Sequence, residues 1–170
     1  MKKFLILAAS SLALTACGGG SEEAPAEESA APADALTPGQ YDVTMEVTSI
    51  DTKDEADART DLEVGSVTNA SVCVGDDGAL PAAAFAEGDD QCGIESPYAR
   101  RGTLRQALRC NRDGEAVMLN VNGDFTADSV TATIETETFF QYAGDYAMKR
   151  SMTATRTGDC TAEGDDGADG

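Results

Sequence analysis

The sequence contains no histidine and no tryptophan, and aromatic residues make up only 5% of it. The absence of histidine excludes serine–histidine and cysteine–histidine catalysis, histidine metal sites and histidine proton switches. Carboxylate pairs can still perform acid–base chemistry, but among 31 Asp and Glu residues no particular pair stands out. We therefore expect a protein that is not an enzyme, with no cofactor and no metal centre.

Positive charge and long apolar runs are also scarce. The chain carries 12 Lys and Arg residues against its 31 acidic ones, which gives a formal charge of −19 at pH 7. Such acidity disfavours nucleic acid as a partner and repels anionic lipid headgroups. The apolar run from Phe4 to Leu14 is too short to span a bilayer. Attachment to a membrane would therefore depend on acyl chains.

The N-terminus has the order of residues that is typical of a secretory signal peptide. Lys2 and Lys3 precede the apolar run, and small residues lead to Cys17. This cysteine resembles that of the lipobox in bacterial lipoproteins. We expect residues 1–16 to be a lipoprotein signal peptide and Cys17 to carry acyl chains, two or more of which anchor stably. Gly18, instead of Asp, resembles lipoproteins released to the outer membrane, where the domain would face the periplasm.

Two segments of low complexity flank the rest of the chain. Residues 17–36 are mostly Gly, Ala, Pro and Glu, which predicts a flexible acidic linker after the acylated cysteine. Residues 161–170 are rich in Gly and Asp and predict a disordered acidic tail. The folded domain is therefore expected over residues 37–160.

Within this domain apolar and polar residues alternate. In Gln40–Ile50 the odd positions are mainly apolar or aromatic and the even ones mainly polar, which is typical of a half-buried strand. The same period, or strand composition, recurs in six further segments: Ser66–Val74, Gly93–Tyr98, Thr103–Cys110, Val117–Val121, Ser129–Phe139 and Tyr146–Thr157. The sequence predicts an all-β fold, a single and mostly antiparallel sheet of about seven strands, curved or barrel-like.

Parts of the pattern leave alternatives open. Thr103–Cys110 also fits a helix, Pro81–Ala86 predicts at most one short helical turn, and Asp51–Asp61 predicts an acidic loop. Asn122-Gly123-Asp124 has the composition of a turn, although Phe125 indicates that strand pairing resumes after it.

The remaining cysteines predict two disulfides. Four follow Cys17: Cys73, Cys92, Cys110 and Cys160. An even number in an exported chain indicates disulfides, here with three connectivities, against the alternative of free or metal-bound thiols. Cys92 and Cys110 lie nine residues to either side of Arg101 in a strand–turn–strand pattern, so they would face each other across a hairpin. This favours Cys92–Cys110, with Cys73–Cys160 as the second bridge.

Arginine is concentrated in one segment, residues 100–112, which contains five arginines. On a strand, Arg101, Arg105 and Arg109 share one face, opposite Leu104 and Leu108. They form a candidate anion-binding patch for a phosphorylated glycolipid, a polyanion or an acidic partner. The alternative is a solvated outer face that compensates an acidic domain.

Two further patterns each allow two interpretations. The Gly-Asp-Asp motifs that begin at Gly75, Gly88 and Gly164 offer oxygen ligands for calcium, but turn chemistry explains them equally well. The residues expected on the inner face either fill a core or line a cavity for a lipid or other hydrophobic ligand. They are Tyr41, Val43, Met45, Val47, Leu104, Leu108, Val117, Leu119, Val121, Val130, Ile134, Met148 and Met152.

The spacing of several motifs resembles one family. Pro38–Thr44 (PGQYDVT), Val72-Cys73, the two central cysteines and a closing Gly158-Asp159-Cys160 are similar to the domain-of-unknown-function family 3617, over about residues 37–160. Many members are lipoproteins or secreted proteins of Gram-negative bacteria. This chain departs from the family at Tyr41, where tryptophan is usual, and in its long acidic insertion. The resemblance implies the fold and the disulfides and supplies no chemistry.

Together these observations predict a membrane-anchored envelope lipoprotein that acts as a structural or protein-interaction module. Its partners would be the membrane, through Cys17, and an envelope protein. The first alternative is a binder of a hydrophobic or anionic small molecule, and the second is a carboxylate-dependent enzyme.

Overall fold

Residues 33–160, which the computed structural model describes, form one seven-stranded antiparallel sheet curled into a half-barrel. Its strands are β1 (Gly39–Thr52), β2 (Val67–Val74), β3 (Gln91–Arg100), β4 (Thr103–Arg112), β5 (Glu115–Phe125), β6 (Ser129–Phe139) and β7 (Tyr146–Gly158). Cys17, the expected signal peptide and the expected tail lie outside the described residues. No helix among residues 33–160 is long and apolar enough to cross a membrane.

The structure confirms the all-β prediction and resolves its open alternatives. The segment Thr103–Cys110, which also fitted a helix, lies in strand β4. Every second residue of it, Leu104, Gln106 and Leu108 among them, is buried. The short helical turn is a single 3-10 turn, Ala82–Ala84. The first two residues of the predicted acidic loop, Asp51 and Thr52, belong to β1.

The strands are arranged in the order β2-β1-β7-β6-β5-β4-β3. The edges of the sheet are therefore β2 and β3, which follow one another in the chain. The connection between them, residues 75–90, must cross the open side of the half-barrel, and its 3-10 turn contacts both edge strands. Leu80, Ala84 and Phe85 of this connection are buried against the concave face of the sheet. We call residues 75–90 the plug.

The concave face and the plug together form a filled core. All thirteen residues expected on the inner face belong to the buried cluster. Phe85, which is fully buried, contributes roughly 1.5–3 kcal/mol through the apolar area that it removes from water. The packed part also includes Leu36, which is 7% exposed and whose backbone N–H donates to the carbonyl of Gly78 at 3.1 Å. The domain thus begins before residue 37.

Both disulfides form in the pairing that the sequence favoured. Cys92 and Cys110 occupy directly paired positions of β3 and β4. Cys73, near the end of β2, is bonded to Cys160, which lies just after the end of β7. The bridges span 18 and 87 residues, so chain entropy predicts contributions of about 3 and about 4.5 kcal/mol.

The loop of residues 53–66 packs against the β6–β7 connection. The Asp54 carboxylate accepts hydrogen bonds from the backbone N–H groups of Gly144 at 2.8 Å and Asp145 at 3.2 Å. These bonds lower the pKa of Asp54, because they favour the ionised form. The Arg59 guanidinium lies 4.2 Å from the centre of the Phe140 ring. The acidic insertion is therefore fixed at one end of the half-barrel.

The turn predicted at Asn122-Gly123-Asp124 is wrong, because β5 continues through these residues and pairs with β6. Glycine is required at position 123 for a different reason. A Cβ atom there would overlap the backbone of Thr131 and Ala132 on the neighbouring strand.

We expect Gly123→Ala to lower the free energy of unfolding by about 1–3 kcal/mol, since the two strands would have to move apart. Gly93→Ala is the matched control, because a Cβ at Gly93 on strand β3 meets no atom within 4 Å. Urea denaturation of both variants measures the difference. Equal stability of the two variants would contradict the close approach of β5 and β6.

Candidate binding sites

Arg150, in the middle of β7, ties the sheet to the plug. Its side chain enters the concave face and is only 2% exposed. The guanidinium donates hydrogen bonds to the carbonyl oxygens of Phe85 at 2.7 Å and Ala86 at 3.2 Å. Burial lowers the pKa of Arg150, but arginine remains charged in proteins. Its Nε atom is buried without a partner among the described residues.

Arg112, at the end of β4, holds the part of the plug that leads into β3. Its Nε and one terminal nitrogen donate to the two carboxylate oxygens of Asp90, both at 2.7 Å. Glu87 lies 3.0 Å from the same guanidinium. Burial lowers the pKa of Arg112, but these acidic partners outweigh it and raise the pKa above the ordinary value.

Tyr146 completes this cluster from the first position of β7. Its hydroxyl accepts a hydrogen bond from Arg112 at 2.7 Å and donates one to Glu87 at 2.8 Å. Burial and the nearby Glu87 charge raise the pKa of Tyr146 to about 12. The cluster is thus a network of charge-assisted hydrogen bonds in which Glu87 and Asp90 are both engaged.

A cleft of about 960 Å³ opens beside these residues, in the gap between the two sheet edges. Thr68, Asn69 and Ala70 of β2 line one side of it, and the end of the plug lines the other. The 59–62 and 111–113 segments border it, and Met45 and Arg150 also line it. We call this concavity the edge cleft.

The rim of the edge cleft is negatively charged. Arg59 pairs with Glu115 at 2.8 Å, and Arg112 pairs with two acids of the plug. The exposed carboxylates of Asp61, Asp89 and Asp113 form no ion pair among the described residues. Their charges are therefore available to a ligand.

The two edge strands differ in how they discourage pairing. β3 contains Gly93, Pro97 and a register shift between Ile94 and Ser96, all of which disfavour the addition of another strand. β2 reads VTNASVCV, with no charge, proline or glycine, in a chain of which 25% is charged. Of the two edge strands, β2 is thus the one without protection, and it lines the cleft with three consecutive residues.

The structure brings together only part of the predicted anion patch. Arg105 and Arg109 are exposed on the convex face of β4, where Arg109 lies 3.8 Å from Glu95. Arg101 instead occupies the β3–β4 turn with a φ of 52°, because the reversal needs a left-handed residue there. It is outside the strand alternation that the prediction assumed.

A shallow hollow of about 380 Å³ surrounds Arg105 on the convex face. Its exposed or half-exposed side chains come from three neighbouring strands in two rows. One row is Tyr98, Arg105 and Asn122, and the other is Ser96, Ala107 and Asn120. We call these six residues the convex hollow.

The inner face of the sheet is packed against the plug, with a small void between them. The void between the plug and the sheet measures about 10 Å³, about enough for one water molecule. It contacts Gln106, whose side-chain oxygen has no partner in residues 33–160. The burial of all thirteen inner-face residues favours a filled core.

The Gly-Asp-Asp motifs at Gly75 and Gly88 have other roles in the structure. Asp77 accepts a hydrogen bond from the backbone of Ala79 at 3.2 Å, as in a turn, and Asp90 binds Arg112. Within residues 33–160, no three His, Cys, Asp or Glu side chains are placed to hold a metal ion. The motif at Gly164 lies outside the described residues.

Sequence reasoning missed Arg150 and the role of Arg112. A signal for Arg150 was present, because the period of two places it on the same face as Met148 and Met152. An arginine on the apolar face of a strand indicates a buried hydrogen-bond acceptor, because a buried guanidinium is costly without one. No such signal marks Arg112, since its partners lie more than twenty residues away in the sequence.

Comparison with known proteins gives a family and no activity. The family model described as protein of unknown function (DUF3617) matches residues 36–160. No curated protein and no solved structure matches the chain. Any functional conclusion therefore depends on the structure of residues 33–160.

Replacement of Arg150 by methionine should release the plug. The change leaves the carbonyls of Phe85 and Ala86 without donors, so we expect unfolding free energy to fall by about 2 kcal/mol. Amide hydrogen exchange at residues 84–90 should accelerate more than exchange in the central strands. Lys149→Met, at the neighbouring exposed position of β7, is the control. Unchanged protection of the plug in Arg150→Met would show that the guanidinium does not hold it.

Proposed function

The chain belongs to the DUF3617 family of proteins of unknown function, and we propose that it is a protein-interaction module of the cell envelope. In this proposal an extended segment of a partner protein binds in the edge cleft and pairs with β2 as an eighth strand. The observation that carries the proposal is the uncharged, unprotected edge of β2 beside a cleft of about 960 Å³.

Strand addition fits the geometry of the cleft. The main chain of the partner would bond to the free backbone groups of β2, which supplies affinity independent of sequence. Alternate side chains of the partner would then point to the concave side, where Thr68 and Ala70 line the cleft. A partner strand can pair with β2 only at the edge beside the cleft, because β1 occupies the other edge of β2.

The charge of the rim indicates which segment is favoured. Asp61, Asp89 and Asp113 are exposed around the cleft without ion pairs among the described residues. Lysine or arginine at alternate positions of the segment would complement them, and opposite charge accelerates association and rejects acidic partners. We therefore favour a basic, extended segment.

A small-molecule binder is the second candidate. Arg150 favours it, because its buried Nε–H has no acceptor among residues 33–160 and the residue lines the cleft. A ligand with a carboxylate or carbonyl oxygen would satisfy this donor. A catalytic role has less support, since Glu87 and Asp90 are both bound by Arg112 and neither is free for proton transfer.

The envelope location is part of the proposal and is supported by two observations. Residues 1–17 have the order of a lipoprotein signal and lipobox, which lies outside the described residues. Two disulfides in residues 33–160 fit an oxidising compartment such as the periplasm. Acyl chains on Cys17 would hold the domain at the membrane, and Gly18 favours the outer one.

An alternating Lys-Val peptide tests the proposed cleft. We expect the full chain to bind a fluorescent Lys-Val octapeptide, measured by anisotropy, and the amides of β2 to become protected from hydrogen exchange. A Glu-Val peptide should bind much more weakly because the rim repels it. A Lys-Val peptide with alternate N-methyl groups should also bind weakly, because it cannot complete the hydrogen-bond ladder.

Variants localise this binding on the protein. Ala70→Trp fills the cleft side of β2 and should weaken the Lys-Val peptide at least about tenfold, or about 1.4 kcal/mol. Thr133→Trp adds the same bulk on the exposed face of β6 and should leave binding unchanged. Binding that ignores N-methylation, or that Ala70→Trp does not weaken, would rule out strand addition at β2.

The anchor has its own test in the cell. We expect Cys17→Ser to abolish incorporation of labelled palmitate, because the acylated sulfur is removed. Ser21→Ala, in the expected linker, is the control and should behave as the unmodified protein. Palmitate labelling of the Cys17→Ser variant at an unchanged level would refute acylation at this residue.

A further inference from the structure

The convex hollow gathers five polar side chains from three neighbouring strands. Some polar neighbours elsewhere on the convex face bind one another across strands: Thr44 donates to Asn69 at 2.9 Å, and Lys149 pairs with Glu135 at 2.8 Å. The five polar residues of the hollow make no side-chain hydrogen bond or ion pair among the described residues. They form a block of free donors and acceptors.

The strand register sets the size and shape of this block. Three strands about 4.8 Å apart and two rows about 7 Å apart give a surface of about 10 by 7 Å. Ala107, in the middle strand, is small and leaves the floor low. The bulge between Ile94 and Ser96 bends the outer strand of this block. These two features place a concavity in a sheet face that is otherwise convex.

The chemistry of the hollow combines one aromatic face with hydrogen-bonding groups. The Tyr98 side chain is 49% exposed and stands beside Arg105 in the paired register. Asn120 and Asn122 lie on the far side of β4, each with an amide donor and an acceptor. A pyranose ring is complementary to this combination, because it has an apolar C–H face that packs on an aromatic ring and hydroxyl groups that bond to amides.

The charge of the hollow indicates an acidic ligand. Arg105 lies in the hollow and has no acidic partner within residues 33–160, although the chain has a formal charge of −19. Three acidic side chains lie nearby. Glu135 of β6 is paired with Asn120, and its charge is bound by Lys149 at 2.8 Å. Glu95 faces Arg109 at 3.8 Å, and Asp124 lies one row beyond Asn122. A guanidinium in this setting favours a carboxylate or phosphate group.

We propose that the convex hollow is a binding site for an acidic saccharide, with Tyr98 packing on a sugar ring and Arg105 binding its carboxylate or phosphate group. Asn120 and Asn122 bind the hydroxyl groups. This site is independent of the edge cleft, because it lies on the convex face and the cleft opens at the concave side. A chain held at the envelope would thereby bind a surface glycan and a protein segment at separate places.

The test uses the full chain in an uncharged detergent that contains no sugar. Its probes are a trimer of galacturonic acid, a neutral glucose trimer and inorganic phosphate, each followed through backbone amide shifts of β3, β4 and β5. We expect saturable shifts with the acidic trimer at millimolar concentrations and much smaller ones with the neutral trimer or phosphate alone.

Variants then separate a built site from a general positive surface. Tyr98→Ala and Arg105→Gln should each weaken the acidic trimer about fivefold or more, since each removes one of the two main contacts. Arg109→Gln removes the same charge from the same strand outside the hollow and should change affinity less than twofold. None of these exposed substitutions touches the core, and thermal unfolding verifies that the fold is kept.

Three results would overturn the proposal. One is no shift of the β3–β5 amides with the acidic trimer. Another is equal weakening by Arg105→Gln and Arg109→Gln, which would indicate attraction to charge alone. The last is binding of phosphate as strong as that of the trimer, with no effect of Tyr98→Ala. Each of these outcomes leaves the edge cleft untouched, so the two proposals fail separately.

Discussion

One arginine in the middle of the sheet fixes the segment that closes the half-barrel. A half-barrel of seven strands leaves its concave face open, and the plug covers that face without belonging to the sheet. Arg150 joins the two by bonding to consecutive plug carbonyls at 2.7 and 3.2 Å. These carbonyls follow the 3-10 turn, where the chain has no backbone donors to offer them. A buried charge is costly, and here it is compensated by two backbone carbonyls and by the nearby charges of Glu87 and Asp90.

The same topology explains why a cleft exists. Strands that follow one another in the chain usually pair, but β2 and β3 lie at opposite edges. Their connection must therefore span the mouth of the half-barrel, and it leaves part of the gap open beside β2. Arg112 fixes the far end of this connection through Asp90 and Glu87. The cleft is thus bounded on one side by a free strand edge and on the other by a rigid ionic network.

The sequence predicted the strands, the core and the disulfides, because each depends on a local pattern. A period of two determines which residues enter the core, and the symmetric placement of Cys92 and Cys110 reflects a hairpin. The path of the plug was not predictable, since it depends on the strand order. The turn predicted at Gly123 was wrong for a related reason. Glycine occurs both in turns and where two strands approach closely, and only the position of the neighbouring strand distinguishes the two cases. The contacts of Arg112 are likewise long-range.

The places where the chain enters and leaves the domain set its orientation. Gln40 at the start of β1 pairs with Gly158 at the end of β7, and Cys160 is bonded to the end of β2. Both termini of the domain therefore emerge at one pole of the half-barrel. Thr52 and Tyr146 mark the opposite pole, where the Arg112 network and the entrance of the cleft are found. With the proposed anchor at Cys17, on the N-terminal side of the domain, the edge cleft would therefore face away from the membrane.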